Sequence, residues 1–245
     1  MRCLLTIAYK GTNYAGWQRQ ENANTVQEEI EKALSKLYKE PAAVLGASRT
    51  DAGVHALGQK CVFTAPADCI PMNKLPFALN SYLPVDISVT EAKEVSNEFH
   101  PIFDAKAKTY IYKIYNGVFR NPLLDDTSWH IYRKLNTEHM NEAAAAFIGE
   151  YDFSAFCAAG GSAKTFVRRI NYADVYTEEN ELICFEVNGN GFLYNMVRII
   201  AGTLVYVGLG KIGKSAIADI IKSKDRKQAG ITAPPQGLCL KEVYY

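Results

Sequence analysis

The chain has little with which to build a metal centre or a disulfide framework. Its six cysteines stand at positions 3, 61, 69, 157, 184 and 239, none of them in a CxxC pair, and its four histidines are scattered. Reduced cytosolic thiols are the expected state. An HExxH helix is missing as well, so zinc-protease chemistry has no support. Long hydrophobic runs are also scarce. The longest, Phe192 to Leu209, contains Asn195, Arg198 and two glycines, which points to a buried helix rather than a bilayer span. The short apolar run Met1–Ile7 is soon broken by Lys10 and Gly11 and does not read as a signal peptide. A cytoplasmic protein with no membrane association, no metal and no cofactor is expected.

Excess charge of one sign is lacking too: the net charge is +1 over 245 residues. That total by itself argues against a nucleic-acid partner, because such proteins usually carry a basic excess. The distribution argues the other way. Residues 1–20, 105–124, 160–171 and 188–214 hold lysines and arginines and no acid, while acids gather at Glu91, Glu94 and Glu98 and at Glu178, Glu179 and Glu181. If the acid-free windows share a face, a nearly neutral protein presents a basic groove to phosphates.

Hydrophobic periodicity divides the chain into two halves of the same element order. Arg2–Tyr9 reads as a strand, and Thr25-Val26-Gln27-Glu28 as a capping box before a helix carrying Val26, Ile30, Ala33, Leu34 and Leu37. Strands are expected over Ala42–Ser48, Ala56–Ala65 and Asp86–Glu94, with a short helix over Asn73–Leu83. In the second half strands are expected over Ala105–Asn116, Phe166–Thr177, Glu181–Asn188 and Leu238–Tyr244, and helices over Thr137–Ile148, Phe192–Leu209 and Ser215–Ser223. The pattern predicts an α+β protein of two ferredoxin-like βαββαβ halves, residues 1–100 and 101–245. Their strands would form an extended, mostly antiparallel sheet with helices on one face and a central cleft.

Three features carry possible chemistry. Ser48-Arg49-Thr50-Asp51-Ala52-Gly53-Val54-His55 puts a carboxylate on a loop between two strands, where it can serve as nucleophile or base. The same residues also suit an ordinary turn. Arg198 is the only charge between Phe192 and Leu209. It needs a partner there, with Asp51 one candidate and solvent or backbone carbonyls the alternatives. Lys108-Thr109-Tyr110-Ile111-Tyr112-Lys113 interleaves tyrosines with lysines, which suits base stacking with phosphate contact or an amphipathic strand with tyrosines in the core.

The run Gly46–Ala56, with Arg-Thr-Asp-Ala-Gly-Val-His at its centre, resembles the signature of the TruA tRNA pseudouridine synthases. The resemblance extends from about Leu5 to Tyr244. It takes in Tyr9–Gln18, Lys108–Tyr112, Gly149–Phe156, Val167–Ile170 and Gly189–Arg198; one departure is Ser48, where glycine is common. It implies isomerisation of uridine to pseudouridine at positions 38–40 of the tRNA anticodon stem-loop, without cofactor or metal, by a homodimer. By match, Asp51 is the catalytic carboxylate and nucleophile, although attack on the sugar, addition to the base and removal of a sugar proton all stay open. Arg198 would be its ion-pair partner, Tyr110 would stack on the target base, and Arg49 would fill the gap left by the extruded nucleotide. Lys164, Arg168 and Arg169 would contact phosphates, and His55 would be structural. A non-catalytic RNA-binding protein and a nucleoside glycosidase are the competing readings.

Overall fold

The computed structural model describes residues 1–66, 69–161 and 163–245. The chain is α+β, with ten mostly antiparallel strands among the described residues, and falls into two compact units: Met1–Lys106 with Cys239–Tyr245, and Ala107–Leu238.

In chain order the first unit contains β1 (Arg2–Tyr9), α1 (Val26–Tyr38), β2 (Leu45–Gly46), β3 (His55–Thr64), α2 (Leu75–Asn80) and β4 (Ile87–Val95). β1 lies between β3 and β4, antiparallel to both. Helix α1 starts where the capping box places it: Thr25 is extended, and its hydroxyl accepts from the Glu28 amide at 3.4 Å. The helix stops at Lys39, which turns left-handed before Glu40-Pro41, since proline cannot continue it. Of the strand expected over Ala42–Ser48, two residues form the ladder, Leu45 opposite Val62 and Gly46 opposite Cys61, and the Ala47 amide adds one bond to the Lys60 carbonyl at 2.7 Å.

The second unit contains β5 (Ala107–Tyr115), β6 (Trp129–His130), α3 (Thr137–Ala145), β7 (Gly149–Asp152), β8 (Val167–Thr177), β9 (Leu182–Gly189), α4 (Met196–Gly208) and α5 (Ile217–Ser223). Its strand order is β5-β9-β8-β7, all antiparallel, with β6 added parallel to β5. The last strand, β10 (Leu238–Tyr244), leaves the half it was read with. From Cys239 onward it belongs to the first unit, where Cys239 and Leu240 pair with His55 and Ala56 of β3. A strand's pairing partner can lie at any sequence distance, so local pattern assigns the strand but not its sheet.

Helix α4 begins four residues later than its apolar run suggests. Asn195 adopts φ 59°, a left-handed conformation that ends any helical path from Phe192. Leu193 is buried all the same, by tertiary packing instead of by a helical stripe. Beyond that point α4 is buried almost all round. It passes very close to residues 230–233: a Cβ on Gly202 would lie 1.9 Å from the Ile231 carbonyl oxygen, and one on Gly230 2.7 Å from the Gly202 carbonyl oxygen. The Gly230 amide donates to Thr203 Oγ1 at 2.9 Å, and the Ala233 amide to the Arg198 carbonyl at 3.1 Å. Among the described residues, no helix is long and apolar enough to cross a membrane.

Candidate active site

The Asp51 loop is held by the segment that precedes α1. The Trp17 amide donates to the Thr50 carbonyl at 3.1 Å and the Gly53 amide to the Tyr14 carbonyl at 3.3 Å. Tyr9 and Thr50 share a hydroxyl–hydroxyl bond of 2.7 Å. Two glycines make this contact possible. A Cβ on Gly11 would stand 2.0 Å from the Val54 carbonyl oxygen; one on Gly16, whose φ is +96°, would stand 2.5 Å from that of Thr50. Within the loop, Gly53 takes φ 78° and the Val54 amide closes back on the Asp51 carbonyl at 3.1 Å. These anchors run through the backbone and the Thr50 hydroxyl. Asp51 is half-buried and Arg49 exposed.

The buried His55 accepts from the Gly11 amide through Nδ1 at 3.0 Å, a structural bond that places its proton on Nε2. Ser48 does not have positive φ, so the freedom a glycine would bring is not used there. Its carbonyl accepts from Gln59 Nε2 at 2.7 Å. Tyr9, Gly11 and Gly16, which the sequence reading did not single out one by one, are therefore what fixes the loop. The signal was present in the run Tyr9–Gln18, but spacing did not say what the run touches.

In the second unit, Tyr110 and Tyr112 share one face of β5, as strand alternation requires, and both are buried; their contacts differ. Tyr112 is fully buried and its hydroxyl donates to the Pro234 carbonyl at 2.7 Å; burial pushes its phenol well above the usual tyrosine range. It is a core residue. Tyr110 meets Phe192 edge to face, with ring centroids 5.1 Å apart and planes at 83°. Arg198, in the first turn of α4, donates through Nε to the Ala233 carbonyl and through Nη1 to Asn195 Oδ1, both at 2.8 Å. The Tyr112 hydroxyl and the Arg198 guanidinium thus bind adjacent carbonyls, which brings β5 and the start of α4 to one place.

The three weaker candidates separate. Arg168 binds the carbonyls of Thr165 and Val167 at 2.9 and 2.6 Å and lies over Gly191; burial draws its pKa below the usual arginine value. Arg169, the next residue, faces the other way and pairs with Glu150 at 3.1 Å. Lys164 is exposed.

Neither a GxGxxG nor a GxxxxGK[ST] string was expected in this sequence, yet Gly208–Ser215 fits both spacings. Those motifs cradle phosphate only between a strand and a helix. Here Gly208 is the last residue of α4, and Lys214 is ion-paired with Glu142. The context is wrong, and no nucleotide site follows. Among the described residues no group of three histidines, cysteines, aspartates or glutamates could hold a metal.

Lys108 faces the same side of β5 as Tyr110, and desolvation lowers its pKa from 10.5 to about 8. Between those values the folded protein has shed a proton that the unfolded chain keeps, so this residue makes the fold more stable as pH rises from 8 to 10.5. Its full cost is felt below pH 8. Lys108→Met is expected to be more stable relative to wild type at pH 7.5 than at pH 10, measured by urea unfolding at both. A difference that does not change with pH would overturn the assignment.

Residues 5–104 and 143–245 match the family described as tRNA pseudouridine synthase. The chain is similar to the tRNA pseudouridine synthase A of Ruminiclostridium cellulolyticum, at 52% identity over 241 residues that cover 98% of both chains. It is equally similar to that of Thermoanaerobacter sp., at 52% over 243 residues, 99% of this chain and 98% of the other. The tRNA pseudouridine synthase A of Geotalea uraniireducens is 48% identical over 241 residues, 98% of each.

Proposed function

Because this chain belongs to the tRNA pseudouridine synthase family, we propose that it isomerises uridine to pseudouridine at positions 38–40 of the tRNA anticodon stem-loop, with Asp51 as the catalytic nucleophile. The observation that carries this reading is the Asp51 loop, a half-buried carboxylate beside an exposed arginine on a backbone clamped by Tyr9–Trp17. A loop with only a turn to make has no need of such anchoring. The reaction breaks the C1′–N1 bond, turns the uracil, joins C1′ to C5, releases the C5 proton and leaves N1 to take up one proton. Product and substrate have the same composition, and the enzyme is an isomerase.

In this reading Arg198 pairs with Asp51, Tyr110 stacks on the uracil, and Arg49 occupies the vacated stack. Arg168 and Lys164 contact phosphates, and Arg169 does so by exchanging Glu150 for RNA. The two halves are ferredoxin-like; the order β4-β1-β3-β2 supports this for the first unit. The protein acts in the cytoplasm as a homodimer, consistent with apolar surface at the exposed Val118, Phe119 and Leu123. Pseudouridine mapping in tRNA from a strain deleted for this gene is expected to show loss at one or more of positions 38–40 and recovery when the gene is restored. An unchanged map would end the proposal.

A further inference from the structure

We propose that the turn from Gly189 to Asn195 is the positioning element of this site, with Phe192 holding the ring of Tyr110 and Asn195 holding the guanidinium of Arg198. The inference rests on the reading above, in which Tyr110 and Arg198 act on the uridine.

Both ends of the turn are anchored by main chain. At its start the Asn190 amide donates to the Arg169 carbonyl at 3.0 Å, and the Arg169 amide returns a bond to Asn190 Oδ1 at 3.0 Å. Near its end the Ala158 amide donates to the Tyr194 carbonyl at 3.0 Å. Gly189 sits between Lys108 of β5 and Ile170 of β8. A Cβ there would lie 2.7 Å from the Arg169 carbonyl oxygen and 2.9 Å from Ile170 Cδ1, too close for both, with Phe192 Cζ at contact distance, 3.5 Å; the start of the turn thus packs tightly on β8. Phe192 is only half-buried, whereas Met196 just beyond it is fully buried. Its edge-to-face contact restrains a tyrosine whose ring must be in place before a base arrives.

Asn195 has a comparable relation to Arg198. Asparagine is among the few residues that enter the left-handed region at low cost, and at φ 59° its amide oxygen is placed to accept from Arg198 Nη1 at 2.8 Å. Together with the Ala233 carbonyl at Nε, this bond fixes the plane of the guanidinium. Neither Phe192 nor Asn195 is asked to touch the substrate.

The test uses the purified full-length chain and tRNA tritiated at uracil C5, with steady-state and single-turnover rates and thermal unfolding measured together. Phe192→Leu and Asn195→Gly are expected to lower kcat by roughly tenfold or more, the scale of a small misplacement of reacting groups, with KM and the unfolding midpoint nearly unchanged. Glycine keeps the left-handed backbone while removing the amide, so its loss of rate reports the bond to Arg198 alone. Phe192→Tyr, which keeps the ring, is expected to restore most of the rate. Wild-type kcat in both Phe192→Leu and Asn195→Gly, or a rise in KM with kcat intact, would overturn the inference while leaving the synthase reading standing. A wild-type protein inert on every tRNA would sink that reading, and this inference with it.

Discussion

Asp51→Asn is expected to reduce tritium release from C5-labelled tRNA by about four orders of magnitude or more, the scale seen when a nucleophile is removed, while tRNA affinity stays within a few fold. The substitution keeps the size and shape of the side chain and removes its charge. Folding should not suffer, because the bonds that shape the loop run through the backbone of Thr50, Asp51 and Gly53 and the hydroxyl of Thr50. Filter binding beside the release assay separates the two effects. Normal turnover would remove Asp51 from the mechanism, and with it the distinction between this protein and an RNA-binding module of the same fold. Free uracil in the wild-type reaction would instead mark a glycosidase.

Gly202→Ala is expected to cost about 3 kcal/mol or more, although the substitution would favour an isolated helix by about 1 kcal/mol. Sterics decide the sign. The added methyl would stand 1.9 Å from the Ile231 carbonyl oxygen and 3.0 Å from its carbon; these are backbone atoms, and no rotamer change relieves them. Either α4 or residues 230–233 must move. Gly230 leaves no slack on the other side, because it already lies against the backbone of Gly202 and Thr203. The displacement would reach the site as well, since the Ala233 carbonyl holds Arg198 Nε. Differential scanning calorimetry should record a midpoint lowered by roughly 6 °C or more, with activity reduced at temperatures where the protein is still folded. A neutral or stabilising outcome would contradict the close crossing of α4 and this segment.

Much of this was legible without coordinates, wherever the controlling interaction is local. The Thr25 cap, the run of α1, the strands β1, β3, β5, β8 and β9, and the loop bearing Arg49 and Asp51 all follow from spacing and turn chemistry. The misses share one cause. The strand expected over Ala42–Ser48 is two residues long, pairing with β3 at Leu45 and Gly46. Strands β6 and β7 are too short to show a period, and apolar residues ahead of α4 were read as helix although Asn195 turns the chain there. Tyr110 and Tyr112 look alike in the sequence, and only packing made one a core residue hydrogen-bonded to Pro234 and left the other against Phe192.

Residue order alone thus determined the family, most of the elements, and which side chains stand as candidates for the chemistry. These depend on covalent neighbours and on helix or strand periods, which act over a few residues. Tertiary structure decided how those side chains are held: Gly11 and Gly16 against the Asp51 loop, Asn195 and Ala233 on Arg198, Gly202 beneath Ile231. Contacts of this kind join residues far apart in the chain or turn on a single backbone angle, and short-range patterns in a sequence do not encode them.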